Sequence, residues 1–220
     1  MPLPQALRRL APDRLRDDPR LRAVAVGAGL IPPRTMHSDA ERELLQRLGR
    51  DAGRVVEIGV YEGSSAVALA QVMGPGQELH LIDPFGHHAS ALPSGWGATE
   101  RASRRVVARA ARHDGPRVVW HVAFSHDVAP RWSAGPIGLL FIDGDHAEAG
   151  VQRDWDDWHD LVAPGGHVLF HDAREGRPEG RGLPGPTAVV DRLLRGPADP
   201  AAGWSIAAEV DRTVAVRRAS

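Results

Sequence analysis

The stretch Glu57-Ile58-Gly59-Val60-Tyr61-Glu62-Gly63-Ser64-Ser65 decides the fold. It follows a short apolar run at residues 54–58 and opens an alanine-rich segment, residues 64–73, so it reads as a strand turning through two glycines into a helix. Glycine allows the tight turn and a close backbone approach to a ligand, and the helix start offers free N–H groups to an anionic group. A second apolar run, residues 78–82, ends at Asp83, twenty positions after Gly63. A carboxylate there can accept both hydroxyls of a ribose. Dinucleotide folds share this layout, but the G-x-G-x-x-G that accommodates a pyrophosphate is missing, because Val60, Tyr61 and Glu62 separate the glycines. Glu57, just ahead of the first glycine, suits a ligand bearing an ammonium or sulfonium better than a diphosphate.

Outward from this turn, strand-like and helix-like segments alternate. Upstream, Ser38 and Glu41 have capping-box spacing and open a helix through residue 48. Downstream the pattern predicts a helix over 99–112, a strand over 118–122, and a continuously apolar central strand over 137–142. A helix over 147–161 should end at Pro164-Gly165-Gly166. A strand over 167–170, a helix over 187–194 and two strands, 204–208 and 213–217, joined by a turn at Asp211, complete the pattern. The expected fold is α/β, a doubly wound, mostly parallel Rossmann-like sheet. Residues 1–34 read as an arm or lid with little regular pattern beyond a short helix at 5–10, and residues 35–220 as one domain. The loop at 175–186 follows a strand's carboxyl end, where such folds bind ligands, and reads as substrate-side.

A second constellation lies on the same edge. The central strand runs into Asp143-Gly144-Asp145-His146, and the next ends in His171-Asp172. In a parallel sheet Asp143 and Asp172 then stand side by side beside the glycine turn, and two carboxylates with room for water suit a hard cation such as Mg²⁺. The plainer alternative is that each aspartate caps a turn or helix. His171 alternates with Asp172 and is expected to face the packing layer. An iron centre from His146, His171 and Asp143 would leave the glycine turn unexplained. His87 and His88 read as exposed turn residues. Asp154, Asp156, Asp157 and Asp160 read as the outer face of a helix whose Trp155 and Trp158 face the sheet.

Composition narrows the classes. The 220 residues carry a net charge of -1, which lacks the footprint of a nucleic-acid binder. There is no cysteine, and all 27 cationic Lys/Arg positions are arginine, so thiolate chemistry and a lysine base are excluded. No apolar run has the length of a membrane helix, and the cytoplasm is the expected compartment.

The segment from Glu57 to Ala70 resembles motif I of the class I S-adenosylmethionine-dependent methyltransferases, in particular the metal-dependent catechol-type branch. Glu57, Gly59, Tyr61, Gly63 and Ser65 match its order and spacing. The resemblance implies a seven-stranded sheet with a C-terminal antiparallel strand pair. It implies that the glycines approach the methionine part of S-adenosylmethionine, that Ser65 holds its carboxylate and that Asp83 holds its ribose. Met36, in Thr35-Met36-His37-Ser38, would lie beside the reacting methyl, Ser125-His126 would meet the adenine, and Asp143 would border the cofactor. Catechol-type enzymes bind their metal through aspartates matching Asp143 and Asp172 and then an asparagine, but Ala173 stands here, so the third ligand is unassigned. Their lysine base is matched by His146. The stretch Asp143-Gly144-Asp145-His146 is similar to the macrocin-type sugar O-methyltransferases, with Asp145 as the alternative base or the missing ligand. The expected activity is O-methylation of a small-molecule hydroxyl, catechol-like, sugar or other natural product, of the kind found in secondary metabolism, by a homodimer. A nicotinamide-dependent oxidoreductase and a catalytically silent cofactor-binding module are the alternatives.

Overall fold

The computed structural model describes residues 19–86, 97–111, 113–196 and 201–220. Seven strands form one sheet in the order β3-β2-β1-β4-β5-β7-β6. These are β1 (Arg54–Ile58), β2 (Glu78–Ile82), β3 (Arg117–His121), β4 (Ile137–Ile142), β5 (Val162–Phe170), β6 (Trp204–Val210) and β7 (Thr213–Arg218). The first five pair in parallel, while β7 runs antiparallel to both β5 and β6. Strand order reverses between β1 and β4, so the carboxyl ends of those strands open a crevice at the switch point. This is the sheet that the resemblance implies, with its C-terminal antiparallel pair turning at Asp211, which adopts φ 44°.

The helices are α1 (Pro19–Ala28), α2 (Asp39–Arg50), α3 (Ser64–Ala70), α4 (Gly97–Ala110), α5 (Ser125–Val128), α6 (Glu148–Trp158) and α7 (Pro184–Leu194). They cover both faces, so the central strand needs no polar side: β4 is apolar throughout and buried at all but Gly138. On one face Trp155, Trp158, Val189 and Val190 pack on Val56, Leu140 and Phe170. On the other, Leu44, Leu45, Leu69 and Met73 pack on Val55, Leu139 and Leu169. The expected capping box is present at α2, where Ser38 and Glu41 satisfy each other's backbone N–H groups.

Three expectations change. The described part of the arm is not irregular: over residues 19–28 it forms α1, a helix whose Ala23 and Val26 pack on Ala102 of α4. The helix expected at 5–10 and the histidine pair at 87–88 lie outside the described residues. Strand β5 begins at Val162 and runs through Pro164-Gly165-Gly166, the segment read as a helix stop, with a register irregularity against β4 absorbing the glycines. Asp154 does not lie on an outer face. It is buried, accepts a hydrogen bond from the Ser125 hydroxyl, and burial pushes its carboxyl up to about 6.

Candidate active site

The turn after β1 is held in an uncommon conformation from several sides. Gly59, Tyr61 and Gly63 have φ of 90°, 50° and 86°, all in left-handed backbone space. The Asp83 carboxylate accepts the N–H groups of Val60 and Tyr61 through one oxygen, each at 2.8 Å, and that of Phe85 through the other, also at 2.8 Å. From α4, the Ser103 hydroxyl donates to the Tyr61 carbonyl. Asp83 therefore braces the turn, with three of its roughly four lone-pair sites used. Burial pushes its carboxyl above the ordinary range, against those three N–H donors. Gly59 serves packing: a Cβ there would lie 2.2 Å from the Asp143 carbonyl oxygen and 2.7 Å from Gly144 Cα. The absence of a side chain at Gly59 is what brings the glycine turn against the end of β4.

Glu57 points into this region from β1 and is fully buried. Its Oε1 accepts the Ser65 hydroxyl, while its Oε2 is buried without a partner. Burial pushes the carboxyl up to about 8; Ser65 opposes the shift and the neighbouring carboxylates Asp143 and Asp83 add to it. A carboxylate oxygen left dry and unpaired is costly, and a cationic ligand group would remove that cost. Ser65, expected at the cofactor carboxylate, has its hydroxyl on Glu57 instead.

The acidic strand ends meet as expected and bring a third residue with them. Phe141 is opposite Leu169 and Ile142 opposite Phe170. One register step further, Asp143 therefore faces His171, and Nδ1 of that histidine lies 3.0 Å from Asp143 Oδ1. This corrects the placement of His171 in the packing layer: it continues the face of Leu169, but at the sheet edge that face has become the site. Asp172 joins because its backbone turns to φ 52°, placing Oδ2 3.4 Å from the same His171 nitrogen. His146, from the loop after β4, sets Nε2 3.6 Å from Asp143 Oδ1 and 3.4 Å from Asp172 Oδ2. Arg212, in the β6–β7 turn, donates to Asp172 Oδ1 at 3.2 Å.

Asp143 first, then Asp172, push His146 up to about 9. Burial opposes the same effect at His171, yet the two carboxylates hold it at about 10. Asp172 is kept well below the usual carboxylate range by these imidazoles, again against burial. Despite the short distances, neither ring nitrogen of His171 makes a well-directed hydrogen bond. Pairing of charge, not alignment, holds the group together.

The donor set fits a divalent cation. Facing donor atoms are 3.0–3.6 Å apart and all four lie within 4.8 Å of one another. Around a shared ion with bonds of about 2.1 Å, neighbouring donors are about 3.0 Å apart at right angles and about 3.4 Å in a tetrahedron. Two buried, undirected imidazole nitrogens on His171 point the same way.

The other expected residues are placed unevenly. Asp145 is exposed and its Oδ1 accepts the Ala147 N–H at 2.9 Å, so it shapes the entry to α6 and stays out of the cluster. Ser125 opens α5 beyond β3, with its hydroxyl on Asp154, and His126 stacks on Phe124. Met36 is largely exposed, on the segment between α1 and α2. Two groups escaped the sequence reading. His37 has both ring nitrogens buried and unpartnered, and burial lowers its pKa while it feels His171, Glu41 and Asp143. Glu41 uses one oxygen for the Ser38 cap and the other for the Arg212 N–H and the Thr213 hydroxyl, tying α2 to the β6–β7 turn. The loop at 175–186 folds back toward these strand ends. Leu183 donates its N–H to the Asp172 carbonyl at 2.8 Å, and a Cβ on Gly185 would lie 2.2 Å from the His146 carbonyl oxygen.

Residues 56–173 match the model of a family described as a methyltransferase domain. The chain belongs to this methyltransferase family. The methyltransferase also shares its fold with solved structures. One is the O-methyltransferase TomG of Streptomyces achromogenes, involved in tomaymycin synthesis and solved with S-adenosylmethionine, at 19% identity and TM-score 0.58, covering 93% of this chain and 91% of that one. A second is an O-methyltransferase of Bacillus cereus solved with S-adenosylhomocysteine, at 20% identity and TM-score 0.57, covering 95% and 93%. The O-methyltransferase NovP matches at 19% identity and TM-score 0.63, covering 84% and 82%. Among the described residues, no helix of the methyltransferase is long and apolar enough to cross a membrane.

Proposed function

We propose that this methyltransferase transfers the methyl group of S-adenosylmethionine to a hydroxyl of a small molecule, with a divalent cation held by Asp143, His171 and Asp172. The observation that carries the proposal is the contact between the two halves of the site. Gly59 of the cofactor turn rests on the backbone of Asp143, whose carboxylate belongs to the His171–Asp172–His146 cluster. A methyl donor on the turn and a hydroxyl at the cluster are then neighbours. O-methyltransferases with the same fold support the oxygen acceptor, and Leu183, whose N–H bonds to the Asp172 carbonyl, leaves apolar surface exposed for the acceptor's carbon frame.

The protein's own groups divide the work. Glu57 Oε2 takes the ammonium of the cofactor, and the residual acceptor capacity of Asp83 takes a ribose hydroxyl. Burial separates the two histidines: the His171 side chain is 2% exposed and suits a ligand, whereas His146 is 43% exposed and open to an incoming molecule. The cation supplies positive charge that lowers the pKa of the acceptor hydroxyl. With a cation held there, Asp143 and Asp172 would no longer keep a proton on His146, and its Nε2 would be open to accept one. His146 Nε2 accepts the hydroxyl proton as the oxygen–methyl bond forms and the methyl–sulfur bond breaks, leaving the electron pair on sulfur. A donor set with an imidazole favours Mn²⁺, Fe²⁺ or Zn²⁺ over the Mg²⁺ expected from aspartates alone.

The test measures release of S-adenosylhomocysteine with catechols, phenolic natural products and sugars, in chelated protein and after adding each cation. Turnover that depends on cation and on one hydroxyl class is expected. Binding of S-adenosylhomocysteine without turnover on any acceptor, with any cation, would reduce the protein to a cofactor-binding module.

A further inference from the structure

Glu62 occupies the middle of the cofactor turn, yet its carboxylate points away to the arm. Arg22 of α1 donates to both of its oxygens, Nε to Oε1 at 2.6 Å and the guanidinium NH2 nitrogen to Oε2 at 2.7 Å. The Arg34 N–H adds a bond to Oε2 at 2.7 Å, and Arg22 also reaches the Pro32 carbonyl at 3.3 Å. Arg22 is 9% exposed and Glu62 4%, so the pair is cut off from water. The same turn receives Asp83 and Ser103, neither of which touches the arm through these bonds.

A buried ion pair is a poor way to gain stability, because desolvation offsets much of its attraction. Apolar side chains at both positions would hold α1 as firmly, since Ala23 and Val26 already pack on Ala102. What the two-point contact adds is direction: a planar guanidinium fixes both distance and orientation of its carboxylate. Beyond it, the chain runs from Arg34 through Met36 and His37 to the cap of α2. There Glu41, paired with Ser38 in the capping box, lies 3.9 Å from His171 Nε2, and Ser38 is hydrogen-bonded to Asp211 in the β6–β7 turn. One end of residues 19–38 is thus fixed to the cofactor turn and the other to the edge of the acidic cluster.

Resting on the cofactor-turn reading above, we infer that Arg22 and Glu62 are a positioning pair. They couple the arm to the turn, so that S-adenosyl ligand and arm each hold the other in place. By linkage, loosening the arm weakens the ligand, and the ligand tightens the arm. Neither residue touches the reacting atoms.

Two readouts test this with S-adenosylhomocysteine as the probe: its Kd by calorimetry, and hydrogen exchange of residues 19–38 with and without it. In the parent, the probe should slow exchange in the arm as well as in the turn. In Glu62→Gln the arm should exchange faster, the probe should no longer protect it, and Kd should rise about fivefold or more. Arg22→Lys keeps the buried charge without the two-point geometry and should fall between the two in both readouts. It also serves as the folded comparison should Glu62→Gln not fold. Variants that bind the probe within about twofold of the parent, with arm protection intact, would overturn the coupling alone. A parent that does not bind the probe would overturn the cofactor reading and the coupling together.

Discussion

Glu57 should make cofactor binding and stability depend on pH in a way that identifies it. Its carboxyl has an ordinary pKa near 4.5 in the unfolded chain and about 8 in the fold, where it is fully buried. The shift of an acid upward means that its contribution to stability is fully present below the unfolded value and is lost as pH rises through the folded one. At roughly 1.4 kcal/mol per pH unit, the ligand-free protein should lose on the order of 3–5 kcal/mol between about pH 4.5 and 8 from this group. Glu57→Gln removes the titration and retains a polar partner for Ser65, so its melting temperature should vary less over that interval. The ligand then acts in the opposite sense. An ammonium placed on Oε2 favours the ionised carboxylate, so binding near pH 7 should release about one proton. Calorimetry of S-adenosylhomocysteine in buffers of different ionisation enthalpy measures that proton directly. No buffer dependence near pH 7, together with parental affinity in Glu57→Gln, would refute the assignment of Glu57 to the ammonium.

Gly59→Ala should abolish cofactor binding or folding, because the new methyl group lies 2.2 Å from the Asp143 carbonyl oxygen at φ 90°; calorimetry and thermal melting together tell which. Cation affinity in chelated protein should rise with pH, because cation must displace protons that Asp143 and Asp172 hold on His146 and His171 up to about 9 and 10. Titration of Mn²⁺ at several pH values checks this, and a flat profile would count against imidazole ligation. His146→Ala should lower kcat by about 10²–10⁴ with little change in cofactor affinity, whereas Asp145→Asn should leave kcat within severalfold, since Asp145 is engaged with Ala147. A dead Asp145→Asn beside an active His146→Ala would reverse the assignment of the base.

The parts of this molecule visible in its sequence are those encoded locally. The turn at 57–65 and the all-apolar β4 need only glycine placement and an uninterrupted apolar run, and the fold follows from their alternation with helices. The capping box at Ser38 and the turn at Asp211 were legible for the same reason. Helix α1 is not, because its buried face, including Arg22 and Ala23, has meaning only against α4 and the glycine turn. Alternation along one strand misplaces His171, because register between two strands decides which groups meet at the sheet edge. Counting on from the Phe141–Leu169 pair puts Asp143 beside His171, while Asp172 arrives only by a left-handed turn that no pattern announces. Asp83 and Ser65 have the residue types expected of cofactor ligands, and their hydrogen bonds to the turn and to Glu57 depend on side-chain placement that spacing does not encode.

The proposed function puts a methyl donor and a cation side by side at one edge of the sheet. A crystal structure of the protein with S-adenosylhomocysteine and Mn²⁺, with anomalous data, tests it most directly. The ligand should lie on the Gly59–Gly63 turn with its ammonium at Glu57, and an anomalous peak should fall within bonding distance of Asp143, His171 and Asp172. Contradiction would be a ligand bound elsewhere, or a filled cofactor turn beside a cluster in which His146 and His171 keep their contacts to the carboxylates and no anomalous peak is found.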